Sequence, residues 1–129
     1  MPGIPRLDER GSATVEAVLV IPVLMVLLLV AVQFALWSHA SQVVHTAASE
    51  GDASARSYGG GTQLGEARAR DVLRASQSNV IGPTVQVTVL PGDEVKVTVT
   101  ARAVSIIPGI QFPVSATEAG SIQEFRANR

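Results

Sequence analysis

The spacing of apolar positions changes its period along the chain, and each change predicts a different element. Residues 17 to 37, AVLVIPVLMVLLLVAVQFALW, are apolar on every side, carry no charge and hold one strongly polar side chain, Gln33. At 1.5 Å rise per residue the run makes about 32 Å of helix, close to the hydrocarbon thickness of a bilayer. A helix apolar all round requires lipid or a large surrounding core, and the rest of the chain has too few apolar residues to supply that core. The run therefore predicts a transmembrane helix. Beyond it Leu36, Ala40, Val43, Val44, Ala47, Ala48, Gly51 and Ala55 recur at spacings of three and four, so the helix is expected to continue outward as an amphipathic stalk. Its stripe is narrow and built of small side chains, which suits packing against another helix or a short sheet.

Gly59-Gly60-Gly61 ends the stalk as a hinge. Residues 62 to 76 then read as a second helix, with Glu66 in its first turn, Arg74 near its end, and Ala69, Val72, Leu73 and Ser76 on one face. From Thr84 to Val89 and from Val95 to Arg102 valine alternates with polar residues, and Pro91-Gly92-Asp93-Glu94 between the two runs supplies a turn, so a β-hairpin is predicted. The valine faces are expected to cover the stalk while Lys96, Thr98, Thr100 and Arg102 face water. A third strand is placed loosely from Val114 to Phe125, after Pro108-Gly109 and Pro113. The fold class is α+β and membrane-anchored: one N-terminal transmembrane helix extended as a stalk, a second short helix, then a small antiparallel β-sheet. In domains this gives a cytoplasmic leader at 1–11, a transmembrane helix at 12–37, an extended stalk helix at 38–57 and a small extracytoplasmic α+β domain at 58–129. That last piece sits near the size at which burial barely offsets chain entropy, so help from the anchor helix or a partner is expected.

Charge and composition narrow the function. Ten basic residues stand against eleven acidic ones, and no Lys/Arg cluster lies beside stackable aromatics, so nucleic acid is not an expected partner. Cysteine is absent, which removes disulfides, thiolate metal sites and a cysteine nucleophile. His39 and His45 lie six residues apart, about 120° round a helix, and not at the i, i+4 spacing of a metal pair. Asp93-Glu94 falls in a turn and Asp71 among arginines; no acid, base or nucleophile is assembled. No enzyme activity, cofactor or small-molecule substrate is expected. Arg6 and Arg10 precede the span and no Lys or Arg follows it until Arg56, which places the N-terminus in the cytoplasm and Trp37 at the outer interface.

The boundary before the span carries the most specific signal. Arg10-Gly11-Ser12-Ala13-Thr14-Val15-Glu16 sets a glycine five residues ahead of a carboxylate at the mouth of the apolar helix. This constellation resembles the prepilin processing site, and the resemblance implies a prepilin-type peptidase cutting between Gly11 and Ser12, with Glu16 as the fifth residue of the mature chain. A charge carried into the bilayer costs about 2.5–3.5 kcal/mol even on insertion scales, so Glu16 requires a partner. A neighbouring subunit's new α-amine is one. The other reading leaves Glu16 in the first helical turn, favoured by the helix dipole, with Ser12 or Thr14 as cap.

Further along, Ala13-Thr14-Val15-Glu16-Ala17-Val18-Leu19-Val20-Ile21-Pro22 and the leucine-rich run after it resemble the TadE-like family of tight-adherence pilus assembly proteins. Ala47-Ala48-Ser49-Glu50-Gly51, continuing to Ala55-Arg56, resembles the Ala-rich helix that follows the span in that family. Glu16 and Pro22 match its pattern; the second acidic position is occupied by Gln33, next to Phe34, and Ala17 stands where an aromatic is frequent. The resemblance implies a pseudopilin-like or minor pilin subunit whose partners are membrane lipid, the prepilin-type peptidase and other pilin-like subunits or pilus assembly proteins. Glu16 and Pro22 would serve subunit assembly, in the cytoplasmic membrane or in a surface pilus. Two other readings stand beside it: a generic signal-anchored envelope protein, and a secreted small binding module released by cleavage after Ser38-His39-Ala40.

Overall fold

The computed structural model describes residues 3, 9–57, 59–76 and 80–122. Its element order is α1 (Glu9–Arg56), α2 (Thr62–Ala75), β1 (Val80–Leu90), β2 (Glu94–Ala103) and β3 (Phe112–Ser121), the α+β arrangement expected from the sequence. Tyr58 and Phe125, two of the few aromatics, lie outside the described residues.

Helix α1 runs unbroken for 48 residues, through Pro22, and spans about 72 Å. Its two halves meet different surroundings. Leu19 is 66 % exposed and Leu28 64 %, whereas Ala40, Val44, Ala47 and Ala48 are fully buried. The outer half is therefore the central element of the folded unit, its small-residue stripe covered as expected. The small side chains of its buried stripe explain the fit: the valine face of β2 can approach an alanine ridge closely.

The sheet order is β1-β2-β3, antiparallel throughout. In the central strand burial alternates from Val95 to Ala103, as a strand with one covered face requires. Val95, Val97 and Val99 have almost no exposure, and each such burial contributes about 1.5–3 kcal/mol before entropy is counted. Lys96, Thr100 and Arg102 face outward and Thr98 is half-buried on the same side. Along β1 the cover fades: Val85 is buried, Val87 half-buried and Val89 exposed, because α2 lies over the beginning of that strand only. The hairpin turns through Gly92 and Asp93, both with positive φ, where glycine is at ease and Asp is tolerated.

Several boundaries differ from those expected. Strand β1 starts at Val80, not Thr84, because a bulge at Gly82-Pro83 interrupts the ladder between Ile81 and Thr84 without ending it. Gly82 takes φ 59° there and proline contributes no donor, the usual chemistry of a bulged edge. Strand β3 covers Phe112–Ser121 and so begins two residues before Val114. In α2, Glu66 falls in the second turn; the first holds no acidic residue.

The hinge is as expected. Gly59 and Gly61 have φ of 73° and 106°, and the chain reverses so that α2 packs on α1. Their crossing is close because Gly51 and Gly65 face each other: a Cβ built on Gly65 would lie 2.6 Å from the Ala55 Cβ and 2.8 Å from the Gly51 carbonyl oxygen. Gly65 joins Ala69 and Leu73 as the buried face of α2. At the far end of α1, Asp52 is buried and accepts from Arg56 Nε at 2.8 Å. The guanidinium lies over Gly120 of β3, where a Cβ would stand 2.8 Å from Cζ. Asp52 Oδ1 has no hydrogen-bond partner among the described residues.

Candidate assembly surface on the apolar helix

Gly11, Ser12, Glu16 and Pro22 all lie on the inner half of α1, and all are exposed. The helix begins at Glu9, so the Gly11–Ser12 bond sits inside its first turn. This changes the capping expectation: Ser12 and Thr14 are within the helix, and the Thr14 hydroxyl donates to the Arg10 carbonyl at 2.9 Å, four residues back. That bond satisfies the hydroxyl by back-bonding within the helix and is not an N-cap contact.

Gly11 has no packing reason to be glycine. A Cβ there would meet nothing within 4 Å, and its φ is not positive. In a helix interior glycine costs roughly 0.5–1 kcal/mol against alanine, so Gly11 is a local cost with no compensating contact among the described residues. Glu16 makes no ion pair or hydrogen bond among the described residues; the four ion pairs found lie elsewhere, at Asp52–Arg56, Glu50–Arg68, Glu66–Arg70 and Asp71–Arg74. Around it Val15, Val18 and Leu19 are exposed, so a lone carboxylate stands at the edge of an uncovered apolar cylinder.

Gln33, the one strongly polar side chain of residues 17 to 37, is 4 % exposed and joins α1 to the loop after β2. Its Nε2 donates to the Val104 carbonyl at 3.1 Å, and its Oε1 accepts from the Ile106 N–H at 2.9 Å. The side-chain amide offers a donor and an acceptor side by side; an ionised carboxylate at this position would face the Val104 carbonyl oxygen with no proton to give. The signal was present in the spacing, since Gln33 precedes Ala40 by seven residues and Ala47 by fourteen and so shares their face.

His39 and His45 are exposed on α1. Ala40, at the end of the Ser38-His39-Ala40 tripeptide, is fully buried in the middle of the helix, an unfavourable place for a leader peptidase to cut. Asp93 sits in the hairpin turn as expected, its carbonyl accepting from the Ile122 N–H at 2.8 Å, whereas Glu94 is already the first residue of β2, paired with Leu90.

The helix is long and apolar enough to cross a membrane, and none of its most apolar stretch is buried within the protein. Residues 11–51 match the family model described as TadE-like protein. The matched segment begins at the glycine of the boundary motif and ends at the glycine where α1 meets α2. No curated protein and no solved structure matches the chain.

Proposed function

Taking the TadE-like helix as the premise, we propose that this chain is a pseudopilin-like or minor pilin subunit of a tight-adherence type IV-like pilus or secretion assembly. It acts by helix packing and not by catalysis. One observation carries the reading: α1 buries its outer half in its own domain and leaves its inner half, with Glu16 at the mouth, uncovered on all sides. Lipid can cover such a surface, but lipid gives a carboxylate no counter-charge. A neighbouring subunit cut between Gly11 and Ser12 presents a positive α-amine at the same depth, and pairing with it fixes the axial stagger of packed helices. Pro22 removes one donor from the ladder, and a close neighbour tolerates this where lipid does not. The N-terminus is cytoplasmic and the domain outside, by the position of the arginines.

Glu16→Gln tests the reading, since it keeps size, helix propensity and hydrogen-bonding capacity while removing the charge. The variant is expected to insert and to be processed at least as well as wild type. Its crosslinking to itself or to other pilin-like subunits should fall. Intact mass of protein from the native membrane gives the second arm: wild type should start at Ser12, and Gly11→Val should remain a precursor about 1.2 kDa heavier. Unchanged crosslinking in a processed Glu16→Gln protein overturns the assembly role of Glu16. Equal masses for wild type and Gly11→Val overturn the processing step.

A further inference from the structure

The loop between β2 and β3, residues 104–111, is held against the outer end of the apolar span and carries no charge; the nearest charged residues in sequence are Arg102 and Glu118. Its side chains are arranged opposite to those of an ordinary surface loop. Ile106 is 42 % exposed and Ile110 49 %, and Pro108 and Gly109 between them are exposed as well. Several of its polar groups are turned inward and paired: Ser105 Oγ donates to the Ile107 carbonyl and accepts from the Ile107 N–H, and Gln33 takes the Val104 carbonyl and the Ile106 N–H. A segment entering an apolar medium needs this arrangement, because unsatisfied backbone groups there cost several kcal/mol each.

Facing the loop, Phe34 and Trp37 are exposed on α1 with ring centroids 5.9 Å apart. Between helix and loop lies a cleft of about 370 Å³ lined by Val30, Gln33, Phe34, Trp37, Ile107 and Phe112. Its depth decides what covers it. From Ala17 to Gln33 the helix rises about 24 Å, so Gln33 stands about 6 Å inside the outer edge of a 30 Å hydrocarbon layer. The loop bonded to Gln33 is thereby held at the boundary between acyl chains and headgroups. The cleft is continuous with the lipid-facing surface of the span, and ion pairs such as Asp52–Arg56 and Glu50–Arg68 lie further out along α1.

We propose that the 104–111 loop is a second membrane attachment: Ile106 and Ile110 insert into the outer leaflet, and the cleft beside Trp37 takes lipid acyl chains. This rests on the membrane-anchored reading of α1 and goes beyond it. One helix alone leaves the domain free to tilt about the membrane surface; helix and loop together fix its height and inclination.

The native chain has no cysteine, so single cysteines report unambiguously. Ile110→Cys, Leu27→Cys and Thr88→Cys, each in the full-length chain, would be labelled with an environment-sensitive fluorophore. The vesicles would be phosphatidylcholine and phosphatidylglycerol, with or without nitroxide-bearing acyl chains. Leu27 reports the span, and Thr88, exposed on β1, the aqueous face. Nitroxide lipid should remove roughly half or more of the emission at positions 27 and 110 and little at 88, as expected for sites within reach of acyl chains. Adding Ile106→Asp to the Ile110→Cys chain should abolish most of the quenching at 110 and leave that at 27 in a matched chain unchanged. Quenching at 27 with position 110 open to aqueous iodide overturns the loop insertion and leaves the anchor intact. No quenching at 27 overturns the anchor and this inference with it. Position 110 shielded from both iodide and lipid quencher marks a protein partner in place of lipid, and also overturns it.

Discussion

Gln33 shows how much one side chain can decide. Its amide is a double link between α1 and the 104–111 loop, buried to 4 % exposure. Gln33→Leu keeps the volume and leaves the Val104 carbonyl and the Ile106 N–H without partners, a loss of about 1–3 kcal/mol. Gln33→Glu should behave differently. Its ionised carboxylate still accepts from the Ile106 N–H but leaves the Val104 carbonyl without a donor, so it loses one of the two links and sets like-signed oxygens against each other. Thermal unfolding in detergent micelles, measured against wild type at neutral pH, reads both effects. A Glu variant equal to wild type at neutral pH would show that the carbonyl contact contributes nothing.

Among the elements, the α1–α2 crossing depends on the absence of two side chains. Gly51 and Gly65 let the backbones approach until a Cβ at either position meets the other helix at about 3 Å or less. Gly65→Val should force α2 away from α1, expose Ala69 and Leu73, and cost about 1–3 kcal/mol by overpacking. That lowers Tm by on the order of 10 °C for a domain of this size. Gly11→Ala, with nothing near its Cβ, should leave Tm unchanged or slightly raised; equal melting of the Gly65 variant and wild type would mean that the crossing relaxes freely. The sequence was most legible at this scale, because periodicity is a property of elements. The charge-free run, the small-residue stripe from Ala40 to Ala55 and the valine alternation of β2 each announced their element and its buried face. What stayed hidden was long-range. Nothing local announces that Gly65 meets Gly51, that Arg56 covers Gly120, or that the bulge at Gly82 extends β1 back to Val80. Likewise Gly11 and Glu16 were legible as a motif and the face of Gln33 in its spacing to Ala40 and Ala47, while the partners of Gln33, more than seventy residues away, were not.

For the whole molecule, the change of element at residue 57 is not a boundary of the core. Ala40, Val43, Val44, Ala47, Ala48 and Ala55 belong to the same cluster as Leu73, Val97 and Val114. Residues 58–129 alone should therefore fail to fold, giving a narrow amide spectrum and no cooperative melting. A piece beginning at Val32, which keeps Gln33 and the buried stripe, should restore both. A cooperatively melting 58–129 fragment would contradict that assignment. The shared helix has a mechanical corollary. Because α1 runs without a break from Glu9 into the core, the relative azimuth of its apolar inner half and the domain is set by the count of residues between them. Glu16 and Gln33 project about 100° apart round the axis, so the carboxylate points away from the side on which the loop descends. In an assembly that seats Glu16 on its neighbour, every domain then inherits the same heading, and the outer layer of the filament takes its handedness and pitch from contacts made inside the membrane.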